Sequence, residues 1–258
     1  MKIWYQSGTN IDKNPTTREY AATMNSYLNS IARQGTEVSV HGVEICSPYL
    51  DSFQTEEVLH SGQVLGNLVR AQREGYDAFC VGNAYDPAFY GLREVAEIPV
   101  CGLAEASMVL ACLLAPNFSI MCHDAPLLRR VTELVKRYGF QDRFIATNDC
   151  HLPIAEAFKA FNDPEIFLGP AREVAREGAR KGVTMFINGE GVLNMILAKY
   201  NVHEIEGIPI LEGGGAIIKL AEMLVDLKKM GIKKSPLGLY NPVPKDHLAS
   251  LLKMYGVK

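Results

Sequence analysis

Tyr76–Pro87 reads YDAFCVGNAYDP and Glu97–Leu114 reads EIPVCGLAEASMVLACLL; further along, Gly182–Asn194 reads GVTMFINGEGVLN and Glu206–Leu224 reads EGIPILEGGGAIIKLAEML. Each copy has a strand running into a small-residue loop, a helix, an Ile-Pro strand, a stretch of small residues and an amphipathic helix. Any α/β protein alternates strand and helix. The matched Ile-Pro step followed by a small-residue helix start goes beyond that alternation. Two such units predict two pseudo-symmetric α/β halves with an active-site cleft between them. Under that symmetry the loop at Asn83 and the loop at Glu190 are equivalent positions on opposite walls.

Working outward, β-rich apolar runs fall at Lys2–Tyr5, Glu37–Gly42, Ala78–Gly82, Val100–Gly102, Phe118–Cys122, Met185–Asn188 and Pro209–Leu211. Helical periodicity falls at Thr17–Gln34, Thr55–Gly75, Glu105–Leu114, Pro126–Tyr138, Pro170–Lys181 and Ala216–Met230. This alternation predicts parallel sheets flanked by helices. The expected division is a first α/β half over 1–115 to which 216–230 returns, a second half over 116–215, and a tail over 231–258 with a short helix. Ligand sites are expected in the loops at the C-terminal sheet edges.

The chain has 258 residues, 48% hydrophobic and 21% charged, with a net charge of -3. No broad basic field is available for nucleic acid, and no apolar run reaches the roughly 18 residues of a membrane span. Met1–Asn10 lacks the layout of a secretion leader, so a cytoplasmic protein is expected, acting on a small molecule; the tail, of a kind that packs on its own surface or on a neighbouring subunit, favours a homo-oligomer. The six cysteines at 46, 80, 101, 112, 122 and 150 form no C-x-x-C pair and read as reduced thiols, with Cys80, Cys101 and Cys112 in the core. The histidines at 41, 60, 151, 203 and 247 have no metal-ligand spacing. The glycines form neither a dinucleotide fingerprint nor a phosphate loop, so no metal and no cofactor are expected.

Several stretches carry a family resemblance: Ile3–Ser7 (IWYQS), Tyr85-Asp86-Pro87-Ala88, Ile98-Pro99-Val100 with Ala104-Glu105-Ala106-Ser107, Phe118-Ser119-Ile120, and Gly207-Ile208-Pro209 leading into Lys219-Leu220-Ala221-Glu222. In these the chain resembles the aspartate/glutamate/hydantoin racemase superfamily, above all its hydantoin-racemase-like branch, over nearly all of its length up to about Val225. The resemblance implies cofactor-independent proton exchange at a carbon next to a carboxylate or amide carbonyl, carried out by two cysteines from opposite faces. Where it implies the first Cys this chain has Asn83; where it implies Gly-Cys, it has Gly189-Glu190, followed by Gly191.

Asn83 neither takes nor gives a proton at neutral pH, but its amide can donate to a developing enolate or oxyanion. Glu190 can serve as base or acid. Cys122-His123-Asp124 places a thiol and an imidazole near the presumed cleft, and Cys122 is the one thiol expected close to it. His123 reads either as an auxiliary acid/base working with Glu190 or as part of a helix cap with Asp124. Asn14-Pro15-Thr16-Thr17 resembles the family's substrate-carboxylate loop and reads equally as a helix N-cap. Tyr85, Gly189 and Gly191 are expected at the substrate. Gly213 and Gly214 offer N–H groups for an anion or permit close packing, and Glu105 is expected to brace the Asn83 loop. A single titrating wall points to a hydrolase-like or lyase-like step on a small carboxylate or cyclic amide. A racemase using Glu190 and His123, and a non-catalytic binding protein, are the alternatives.

Overall fold

A computed structural model describes residues 1–11, 17–47 and 53–256. In chain order the elements are β1 (Lys2–Ser7), α1 (Arg18–Ile31), β2 (Glu37–His41), α2 (Gln54–Arg73), β3 (Ala78–Gly82), α3 (Phe89–Val95), β4 (Val100–Gly102) and α4 (Leu103–Leu114). Then follow β5 (Ser119–Met121), α5 (Ala125–Arg137), α6 (Ile154–Ala157), α7 (Glu165–Lys181), β6 (Phe186–Asn188), α8 (Gly191–Lys199), β7 (Glu204–Ile205), β8 (Ile208–Leu211), α9 (Gly213–Lys229) and α10 (Lys245–Met254).

The strands form two sheets of order β2-β1-β3-β4 and β5-β6-β8-β7. The first is parallel throughout, with Tyr5 opposite both Val40 and Cys80. In the second, β5, β6 and β8 are parallel. Parallel strands covered on both faces need near-continuous apolar sequence. β1 and β3 meet that need, since only Lys2 of β1 is exposed and all of Ala78–Gly82 is buried.

The two halves share interior. Tyr20, Met24 and Leu28 on one stripe of α1 join a core that includes Ile3 and Tyr5 of one sheet and Phe186 and Ile210 of the other. α9 leaves the second sheet and packs on β3, β4 and α4 of the first.

Three local differences from the sequence expectation have physical causes. β7 was not expected; it pairs antiparallel to β8 through Glu206-Gly207, both at positive φ (51° and 75°), which is the backbone of a tight two-residue hairpin. α7 begins at Glu165 rather than Pro170, with Pro164 at its N-cap, so that Pro170 lies inside the helix. α4 starts at Leu103 directly from β4 because a carboxylate from another loop caps it, as described below.

Candidate active site

A cavity of about 450 Å³ opens between the halves at the C-terminal ends of β1, β3 and β6. The first half contributes Gly8, Thr9, Asn10, Thr17, Tyr20, Cys46, Ser47, Gly82, Asn83 and Ala84. The second contributes Ile154, Ala155, Phe158, Glu190, Gly191 and Val192. Asn83 and Glu190 therefore meet on one cavity from different halves. The walls also approach directly: a Cβ on Gly191 would lie 3.0 Å from Tyr20 Oη and 3.6 Å from the Gly82 carbonyl oxygen.

Asn83 follows β3 and is only 9% exposed. Its Oδ1 accepts the Tyr85 N–H (3.3 Å), a side-chain turn that fixes the amide's orientation. Its Nδ2 has no hydrogen-bond partner among the described residues. A Cβ on Gly8 would sit 2.4 Å from that nitrogen, so the glycine lets β1 and the amide come together. The loop beyond is locked by Asp86, whose Oδ1 accepts the Ala104 N–H and whose Oδ2 accepts the Glu105 N–H and the Tyr138 hydroxyl. Burial pushes the Asp86 carboxyl up to about 7 against these lowering contacts. Glu105 itself pairs with Arg93, so its backbone N–H, not its carboxylate, meets the Asn83 loop.

Glu190 is the N-cap of α8 and 5% exposed. Oε1 accepts the Val192 N–H (2.9 Å) and Oε2 the Leu193 N–H (2.7 Å). Tyr5 lies under the same region: burial, first, and then Tyr20, Glu212, Cys80 and Glu190 raise its phenol well above the ordinary range. A Cβ on Gly82 would stand 2.3 Å from the Tyr5 ring, so only glycine fits where β3 ends. On the other side of Gly8, His60 Nε2 lies 3.2 Å from the Gly8 carbonyl. Burial lowers this imidazole to about 4, leaving it neutral and able to donate there.

The remaining sequence-predicted residues divide. Thr17 and Gly191 line the cavity. Asn14 and Thr16 lie outside the described residues. His123 does not line it: the side chain is 1% exposed, with Nε2 3.4 Å from Asp124 Oδ2, and Asp124 caps α5 through Leu127. The α5 cap is made by the Asp124 side chain, with His123 set beside it. Cys122 is wholly buried in an apolar cluster, with Sγ against the Gly189 carbonyl (3.7 Å). Tyr85 is buried under the Arg130 guanidinium, 3.6 Å from its ring. Gly189 packs on Ile120 and Cys122, while Gly213 and Gly214 give their N–H groups to Asn194 and Glu212 at the start of α9. None of these five lines the cavity. Tyr20 and Cys46 do, unforeseen: Tyr20 lay within a plain amphipathic stripe, and Cys46 in a segment without periodicity.

The family model for Asp/Glu/Hydantoin racemase matches residues 10–221. The chain belongs to this racemase family. It is 27% identical over 231 residues to a hydantoin racemase of Pseudomonas sp. (strain NS671), covering 88% of each chain. It is 23% identical over 170 residues to a hydantoin racemase of Rhizobium meliloti, covering 66% of this chain and 69% of that one. Among solved structures, the allantoin racemase from Pseudomonas fluorescens superposes with a TM-score of 0.77 at 19% identity over 95% of this chain and 98% of the other. The allantoin racemase from Klebsiella pneumoniae gives 0.75 at 23% identity over 95% of each. These relatives are named as racemases and give no support to the hydrolase-like or lyase-like step expected from the residues alone. The expected partnership of Glu190 with His123 also lacks its second member at the cavity.

Proposed function

We propose that the chain is a racemase that, without a cofactor, exchanges the proton on the carbon next to a carbonyl in a small cyclic amide of the hydantoin type. The observation that carries this reading is the meeting of Asn83 and Glu190, the two repeat-equivalent strand ends, on one cavity. The names of the relatives support the reaction class. The lining supports the substrate class: among the described lining residues there is no Lys or Arg to hold a second carboxylate. Hydroxyl and amide groups of Thr9, Asn10, Thr17, Ser47 and Asn83 instead suit the carbonyls and N–H groups of a ring.

In this reading the Glu190 carboxylate takes the proton and the C–H electron pair moves into an enolate. The enolate oxygen lies at Asn83 Nδ2, a donor whose amide is oriented by the Tyr85 N–H at Oδ1, and such a donor contributes about 3 kcal/mol to transition-state stabilisation. A positioned general base contributes roughly 10²–10⁴-fold. The double cap bond of Glu190 is the observation that favours a second reading, a site that binds and does not turn over.

Single enantiomers of 5-isopropylhydantoin and of allantoin, incubated with the protein in D2O, separate the readings. Racemisation predicts deuterium at the ring carbon and loss of optical activity above the buffer rate. Saturable binding with no exchange selects the binding site instead, and neither binding nor exchange with any of these probes overturns both.

A further inference from the structure

Inversion needs a proton acceptor on one face of the enolate carbon and a proton donor on the other. Among the described lining residues, the side chains able to transfer a proton are Tyr20, Cys46 and Glu190. Tyr20 directs its hydroxyl against Gly191, on the wall that carries Glu190, and is 3% exposed. Cys46 comes from the other half, in the segment between β2 and α2. It is half-buried, whereas Cys80, Cys101, Cys122 and Cys150 are buried away from the cavity.

The segment before Cys46 is built rather than loose. The Val43 N–H donates to the Thr9 carbonyl (3.1 Å), itself on the cavity rim. Gln63 of α2 accepts the N–H groups of Glu44 (3.1 Å) and Ile45 (2.9 Å) through one oxygen and returns its own N–H to the Ile45 carbonyl (2.9 Å). Three hydrogen bonds from one side chain thus fix the backbone up to the residue before the thiol. Independently, Asn83, nine-tenths buried as a residue, turns onto the cavity an Nδ2 that has no hydrogen-bond partner among the described residues, which points to a ligand with an acceptor oxygen in the same space.

We infer that Cys46 is the second acid/base group of the site, facing Glu190 across the enolate. The inference rests on the racemase reading above. In one direction Glu190 takes the proton, the electron pair passes to the oxygen at Asn83, and the Cys46 S–H gives its proton to the opposite face. A protonated Glu190 and a Cys46 thiolate remain, and exchange with water in the open cavity resets both. The reverse direction begins from the thiolate. A thiol ionises closer to neutrality than a phenol, which makes Cys46 the better proton relay than Tyr20. Gln63 is then a positioning residue.

The test uses the full chain and (S)- and (R)-5-isopropylhydantoin in D2O, reading ring-proton loss by NMR and inversion by chiral chromatography. In Cys46→Ala and Cys46→Ser, inversion is expected to fall by about 100-fold or more, while exchange of the enantiomer that presents its proton to Glu190 falls by less than about tenfold. Gln63→Ala, with the thiol intact, lowers the ratio of inversion to exchange in the same direction. Inversion in Cys46→Ala within about threefold of wild type, or inversion and exchange falling in step, overturns the inference, since general acid catalysis by the thiol is worth more than that. Absence of exchange in the wild-type protein is a different result: it removes the racemase reading itself.

Discussion

Asn83 and Glu190 each serve the fold and the cavity with different atoms. Asn83 gives its oxygen to the Tyr85 N–H and turns its nitrogen to the cavity; Glu190 caps α8 with both carboxylate oxygens while lining the same cavity. Replacing Asn83 with Ala removes the Nδ2 donor together with the acceptor of the buried Tyr85 N–H, so exchange and racemisation are expected to fall together by about 10²-fold and the unfolding free energy by about 1–3 kcal/mol. Steady-state kinetics with 5-isopropylhydantoin check this, and a loss of stability with unchanged turnover would contradict it. These two residues were legible because they occupy matched places in the repeat. His123 was not, because neighbouring residues in a chain say nothing about which side chain faces a cleft, and Asp124 holds it at the α5 cap. Cys46 was illegible because its position depends on Gln63, which binds the preceding residue Ile45 from 18 residues further along the chain and from another element.

At the scale of elements, carboxylates start the three helices that frame the site. Asp86 receives the first N–H groups of α4, Glu190 those of α8 and Glu212 those of α9. Two of them reach across the halves: Asp86 takes the hydroxyl of Tyr138 at the C-cap of α5, and Glu212 that of Tyr27 on α1. The positions of the strands and of most long helices followed from periodicity, since a buried parallel strand and an amphipathic helix leave distinct patterns, whereas the strand order did not. The caps did not, because Asp86 serves a helix 17 residues downstream of itself, with Leu103 its first residue. The tightest junction is Gly82 against Tyr5. Gly82→Ala is expected to cost about 1–3 kcal/mol by overpacking, read from urea unfolding. Because Asn83 is the next residue, turnover should fall as well. Unchanged stability would show that β3 can shift away from Tyr5 at no cost.

For the molecule as a whole, the same caps give stability a pH dependence. Burial raises both Asp86 and Glu212 to about 7. The folded state therefore binds these protons more tightly than the unfolded chain, and stability decreases as pH rises from about 4 to about 7. Each carboxyl contributes on the order of a few kcal/mol over that window. Wild-type urea midpoints are thus expected to fall between pH 5 and pH 7.5, and Asp86→Asn, which cannot titrate, should give a shallower slope. An equal slope in the variant would remove Asp86 from this account. The two halves share one interior, and the cavity where they meet is where the account places proton transfer. The most direct measurement is ring-proton exchange of one enantiomer of 5-isopropylhydantoin in D2O, wild type against Glu190→Gln, with folding of the variant verified by its unfolding transition. The account predicts exchange in the wild type and a loss of roughly 10²–10⁴-fold in the folded variant. Equal exchange in both proteins would contradict it.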